Sequence, residues 1–296
     1  MFKFPKTLLI TLFCLTFTAQ AQDMLRPYQL LDTPASTLNE ATDMTYSALE
    51  QSAFEVLGQY SPYPGARVIA ITHPALLQAA STKEFGGYAA ALRIGLTEVD
   101  GKVQRSYANP AYWGTALQVG SLEKVSAELK DVLGDSQPFG SRKGLSNKKL
   151  ANYRYMMMMP KLKDHDHLGS FTSHAAALAT VRNNLASNSN ELVKVFEVAI
   201  PDSEEVLFGV GIGSGDGNDA KVMGITDGGE LRHTAHLPYA LLVSGSDAYA
   251  LAGKFRIALA FPDLGMGTFM KISSAPNAIR DSLESLTKPA NDPPGR

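Results

Sequence analysis

The sequence predicts an α+β protein: two tandem α-β-β-α-β-β-α units with antiparallel sheets, arranged as a pseudo-dimer. Three observations carry this. Short runs rich in β-branched residues alternate with stretches of helical apolar spacing. Tight-turn residues separate paired runs, as in Ser61-Pro-Tyr-Pro-Gly65, Asp100-Gly101 and Pro201-Asp202. The order of elements then recurs in the second half of the chain.

In the first half, Leu38, Ala41, Met44, Ala48 and Leu49 fall on one helical face, and Ser36 or Thr37 can cap its start. FEVLGQY and ARVIAITH read as strands around the SPYPG turn. Pro74 opens a short helix at the position where its missing N–H costs nothing. AAALRIGLTEVDGKVQRSYANP is a hairpin turning at Asp100-Gly101, PAYWGTAL and SLEKVSAELKDVLG are helices, and Gly134 ends the second of these. In the second half, SFTSHAAALATVRNNLAS is a helix, and ELVKVFEVAI and EEVLFGVGI are paired strands. DGNDAKVMG is a weak helix, PYALLVSGSDAYALAGKFRIALAF is two strands with a longer loop, and PNAIRDSLESL is the final helix. Phe54-Glu55-Val56 is matched with Phe196-Glu197-Val198, and Trp113-Gly114-Thr115 with Met266-Gly267-Thr268. The units are set at 22–140 and 150–287, with the boundary in the polar stretch from Gly134 to Lys149. Two such units can cover each other's open sheet face, which makes the face between them the expected ligand site.

The ends speak to location. Lys3 and Lys6 precede an apolar run, TLLITLFCLTFT, and Ala19-Gln20-Ala21 offers a cleavage site. Residues 1–21 therefore read as a signal peptide, with mature protein starting at Gln22 and a periplasmic or secreted destination. The run is too short to cross a bilayer, and no second long apolar segment follows it. Cys14 is the single cysteine and leaves with the signal, so no disulfide or thiolate is expected in the mature chain. The full chain has 27 basic and 29 acidic residues; without Lys3 and Lys6 the net charge is −4. No basic stripe stands out, which argues against nucleic acid. Residues 288–296 consist mostly of Pro, Gly and polar residues that cannot pack a core, and read as a flexible tail.

From Leu49 to Leu133, the first half carries a strand ending ITHP, a hairpin with DGKV and an Asn109-Pro-Ala-Tyr112 segment. In this it resembles the family called domain of unknown function 302; the second half matches only faintly. The resemblance implies compact α+β domains that associate through their sheets. It implies no reaction, and Thr72-His73-Pro74 departs from the family pattern.

Chemistry-bearing motifs are few. His73 at a strand end, Asn109, Tyr112 and His236 are the candidate ligand-binding residues, and an enzymatic site, if there is one, is placed at His73, Asn109 and Tyr112. Asp164-His165-Asp166-His167, with His174 on the next helix, forms an alternative metal site for copper or zinc. Met156 to Met159 read as part of a buried strand over 153–159, because alternate thioethers on opposite faces cannot share one ion. Residues 161–168 are then an exposed turn and 170–186 a helix. GVGIGSGDGND lacks the Lys-Ser/Thr of a phosphate loop, and neither G-x-S-x-G nor H-E-x-x-H occurs. The reading is an exported protein, leaning non-enzymatic and without a cofactor, that binds a small ligand or a periplasmic partner between its two halves. Metal binding and an unrecognised enzyme are the alternatives, and a homodimer is left open.

Overall fold

A computed structural model describes residues 24–33, 35–187 and 191–289. The signal segment and the Gln22 start lie outside these residues, as does all of the tail except Lys288 and Pro289. Among the described residues no helix is long and apolar enough to cross a membrane.

The chain is α+β, as the patterning predicts. β1 (Met24–Leu25) and β2 (Tyr28–Leu31) precede α1 (Leu38–Leu49). The meander β3 (Glu55–Tyr60), β4 (Ala66–Thr72), β5 (Leu92–Val99) and β6 (Lys102–Ala108) follows, with α2 (Pro74–Ala80) and a 3₁₀ turn (Gly86–Ala89) between β4 and β5. α3 (Pro110–Ala116), α4 (Glu123–Leu133), β7 (Ser136–Phe139), β8 (Leu145–Ser146) and α5 (Asn147–Ala151) come next. The second half is β9 (His165–Ser170), α6 (His174–Ser187), β10 (Leu192–Ala199), β11 (Glu205–Ile212), α7 (Asp219–Thr226), a 3₁₀ turn (Thr234–His236), β12 (Tyr239–Ser244), β13 (Asp247–Leu251), α8 (Gly253–Ala260), α9 (Met266–Lys271) and α10 (Ala275–Ser285).

The first sheet has the order β3-β4-β5-β6-β2-β7, and the second β10-β11-β12-β13-β9. All neighbouring strands are antiparallel. Apart from β7, the strand order and the connections between strands agree. The bulges coincide as well: β3 shifts register between Val56 and Gly58, and β10 between Lys194 and Phe196. Counting from these bulges, Glu55 corresponds to Val193 and Phe196 to Gly58, so the pairing of Phe54-Glu55-Val56 with Phe196-Glu197-Val198 is four residues out of register. Trp113 corresponds to Arg256 in the first helix after each meander, not to Met266.

Each half grips the other. Glycines at the contacts allow backbones to touch: a Cβ on Gly58 would overlap the carbonyl of Val195, and one on Gly95 would come within 2.6 Å of the Ala235 nitrogen. The second half's 3₁₀ turn thus lies on β5, where Thr97 and Thr234 share a hydroxyl hydrogen bond of 2.5 Å. In return, the first half's turn lies on β11 and β12. There the buried Glu205 carboxylate accepts from the Phe85 (2.6 Å) and Gly87 (2.8 Å) backbone N–H groups. A buried carboxylate needs such donors, and these join the two sheets directly.

Three local expectations are corrected. Residues 153–159 form no strand. They make bends and a turn, with Met158 at φ 70° and Met157 and Met158 84% and 93% exposed. The buried anchors here are the tyrosines: Tyr153 donates to the Ala258 carbonyl (2.8 Å), and Tyr155 donates to that of Leu264 (2.5 Å) and stacks on Phe269. The exposed turn stops short of Leu168, because His165–Ser170 is the edge strand β9, and the helix begins at His174. KFRIALA is the buried helix α8, not a strand. An apolar run without periodicity fits either element. Its last-turn carbonyls, which would otherwise lack partners, accept from Tyr153, Tyr112 and Tyr28. The polar stretch 134–149 is also structured, since β7 extends the first sheet and β8 pairs with β1.

Candidate functional site

A cleft of about 780 Å³ opens between the halves. Arg26, the end of β7 (Pro138 and Phe139) and the loop after it (Gly140 to Arg142) form one wall; the α7-to-3₁₀ loop and the α8-to-α9 loop form the other. Gly140 lets the first wall close: at φ 93°, a side chain there would meet Tyr28 at 2.7 Å and the His233 ring at 3.2 Å.

His233 is the fixed polar group of this cleft. α7 ends at Thr226, and Asp227 follows as its C-terminal cap, with its side chain 3% exposed. One carboxylate oxygen accepts from the His233 backbone N–H (2.8 Å), and the other accepts from the ring Nδ1 (2.5 Å). The Asp227 carbonyl accepts from Arg232. Tyr28, Phe139 and Phe261 surround the ring with centroids 5.0–5.5 Å away. In the neutral ring, the tautomer that donates from Nδ1 to the Asp227 carboxylate leaves the lone pair on Nε2. His233 is 17% exposed and lines the cleft. Around it Arg26 donates from Nε to the Ser141 carbonyl (2.7 Å) and from one Nη to that of Arg142 (3.2 Å). Asp263 accepts from the Arg142 backbone N–H (2.6 Å) and the Ser141 hydroxyl (3.3 Å). The arrangement offers a hydrogen-bond acceptor, guanidinium donors and an aromatic wall to one small molecule.

A second cleft, of about 400 Å³, is lined by Lys83, Phe85, Gln118, Tyr153, Lys161, Lys163 and His165 among others. By strand register His165 holds the place in β9 that Tyr28 holds in β2, pairing with Leu251 as Tyr28 pairs with Ala108. Burial, and then Lys83, hold the His165 imidazole below its usual range.

The four ligand-binding candidates are not gathered at either cleft. His73 caps α2, with Nδ1 accepting from the Ala75 N–H (3.0 Å), and its Nε2 stands 2.6 Å from Glu128 without pointing a hydrogen bond at it. Asn109 caps α3 and donates to the Arg26 carbonyl (2.8 Å). Tyr112 is buried and donates to Leu259 (2.8 Å). His236 is fully buried, accepts at Nδ1 from Arg256 (2.9 Å) and meets the Tyr239 hydroxyl at 3.3 Å. Its pKa is lowered well below the usual range by burial and then by Arg256 and Arg93.

Nor are the three histidines of the metal reading brought together. His165 packs on Phe85 and Tyr88, His167 pairs with Asp247 (3.1 Å), and His174 bonds the Gly245 carbonyl (2.9 Å). Among the described residues no group of three or more His, Cys, Asp or Glu side chains is placed to hold a metal ion. His233, three residues before His236, is not among the candidates read from the sequence. The signal missed there was Asp227, six residues upstream across a Gly-Gly loop. No known protein family, curated protein or solved structure matches the chain.

Proposed function

We propose that this is an exported small-ligand-binding protein, built from two duplicated α+β units, whose site is the 780 Å³ cleft between them. The observation that carries the reading is the Asp227–His233 pair. A buried carboxylate fixes one imidazole tautomer at the wall of a roomy cleft, inside an aromatic surround. With Nδ1 engaged by Asp227, Nε2 is the ring nitrogen that remains to meet a ligand. The ligand this suits has a hydrogen-bonding or anionic head for Arg26 and His233 and an apolar body for Phe139, Phe261 and Leu264. Binding pockets of this size combine an apolar lining with a few placed polar groups. Export rests on the amino-terminal apolar segment.

The same pair supports a second reading, general-base catalysis. A carboxylate-held imidazole with a free Nε2 can take a proton from water or a substrate hydroxyl. The crystal structure of protein isolated from its own cells tests the primary reading. Density for a bound small molecule within hydrogen-bond reach of His233 Nε2 is expected. A cleft filled by ordered water alone, in protein never exposed to denaturant, would contradict it.

A further inference from the structure

Between the two sheets lie two arginines whose surroundings do not balance their charge. Arg93, on β5, is 8% exposed and Arg256, on α8, is 6% exposed. Arg93 donates from one Nη to the Ala91 carbonyl (3.0 Å), and its guanidinium lies 5.7 Å from the Phe196 ring centre. Arg256 donates to Nδ1 and the carbonyl of His236 and lies over Trp113 at 4.5 Å. Among the described residues neither is within 4 Å of a carboxylate, and the arginines that pair with acids are Arg142, Arg182 and Arg280. Buried charge of one sign without a counter-charge is among the most costly features a fold can hold.

The vicinity supplies a place for the missing charge. Arg93, Arg256, Tyr88, Tyr239, Trp113 and Leu117 line a small cavity of about 20 Å³, together with residues of β12, β13 and α10. That is room for roughly one water-sized atom. Two buried donors have no partner: the Nε of Arg93 and the hydroxyl of Tyr88, which is 3% exposed. Both belong to residues that line the cavity. Water could accept these hydrogen bonds, but it would leave both guanidiniums uncompensated.

We propose that this cavity binds one small monovalent inorganic anion of about the size of chloride, held by Arg93, Arg256 and the Tyr88 hydroxyl. The anion neutralises half the buried charge and accepts the two unused N–H and O–H groups. It would act as a clip between the halves, because Arg93 and Tyr88 come from the first and Arg256 and Tyr239 from the second. The mutual repulsion of the guanidiniums, which with burial lowers the pKa of Arg93, is relieved in the same step.

Crystals of the full chain grown in sodium bromide test this through the anomalous signal of bromine. The expected result is a bromide peak in the cavity within hydrogen-bond distance of Arg93 and Tyr88. Bromide peaks on the surface with none in the cavity would overturn the proposal. In solution, the midpoint of thermal unfolding should rise with chloride concentration at fixed ionic strength when gluconate, too large for the cavity, is the replaced anion. An equal midpoint in the two salts would also overturn it. In Arg93→Met the chloride dependence should disappear. If that variant does not fold, the wild-type bromide and salt measurements decide the question alone.

Discussion

Asp219 shows how much one carboxyl can depend on its surroundings. It opens α7, and one oxygen accepts from the Ile212 N–H (3.0 Å) and the Tyr60 hydroxyl (3.1 Å), while the other is buried with no partner. Burial outweighs these hydrogen bonds and lifts its pKa to about 7 from the usual 3.8. The folded protein therefore keeps a proton that the unfolded chain releases above pH ~4. Stability from this group is full below that value, falls as pH rises towards ~7, and is level beyond. Wild type should lose on the order of 3 kcal/mol between about pH 4.5 and pH 7.5 that Asp219→Asn does not lose, read by urea unfolding. Parallel curves for the two proteins would show that the carboxyl titrates normally. The methionine run gives a second prediction at this scale. Met157→Ala should change stability by less than about 0.5 kcal/mol, since the side chain is 84% exposed. Tyr153→Phe should cost about 1 kcal/mol, because it strips the Ala258 carbonyl of a buried partner. Chemical denaturation of the two variants distinguishes this from a buried-methionine strand, which would reverse the order.

At the scale of elements, the capped and punctuated ones were legible in the sequence. Thr37, Pro74 and the Asp100-Gly101 turn sit where their chemistry places them: a side-chain cap, a first-turn proline and a left-handed pair. What escaped was decided by partners remote in sequence. α8 is buried at every position but Lys254 because β13, α10 and three tyrosines from residues 28, 112 and 153 enclose it. No local pattern encodes that enclosure, and the same residues satisfy a strand template. Four methionines read as core because apolarity was taken for burial, while Tyr153 and Tyr155 in the same segment were the residues with partners waiting. The contact between the second 3₁₀ turn and β5 is likewise invisible locally. Gly95→Ala should destabilise the protein by about 2–4 kcal/mol, because its Cβ would meet backbone that cannot step aside. Equilibrium unfolding measures this, and a neutral Gly95→Ala would mean the two elements are not in contact.

Over the whole molecule, the α+β class was readable, because hydrophobic period and turn residues mark the helices and paired strands along the chain. The site was not. Its components come from Arg26, from the end of β7 and the loop after it, and from two loops of the second half, more than two hundred residues apart in sequence. His73, Asn109 and His236 looked functional because they are polar residues among apolar ones. The fold uses two of them as helix caps and the third as a buried hydrogen-bond partner of Arg256. The partner that fixes His233 is Asp227, six residues upstream, and only folding brings Tyr28, Phe139 and Phe261 around the ring. Native mass spectrometry of the full chain, isolated without denaturation from the cells that make it, tests the central claim most directly. Wild type should carry a small molecule at one per chain, and folded His233→Ala and Phe261→Ala variants should lose it. Wild type measured at its bare polypeptide mass, or a ligand retained equally by all three proteins, would contradict the account.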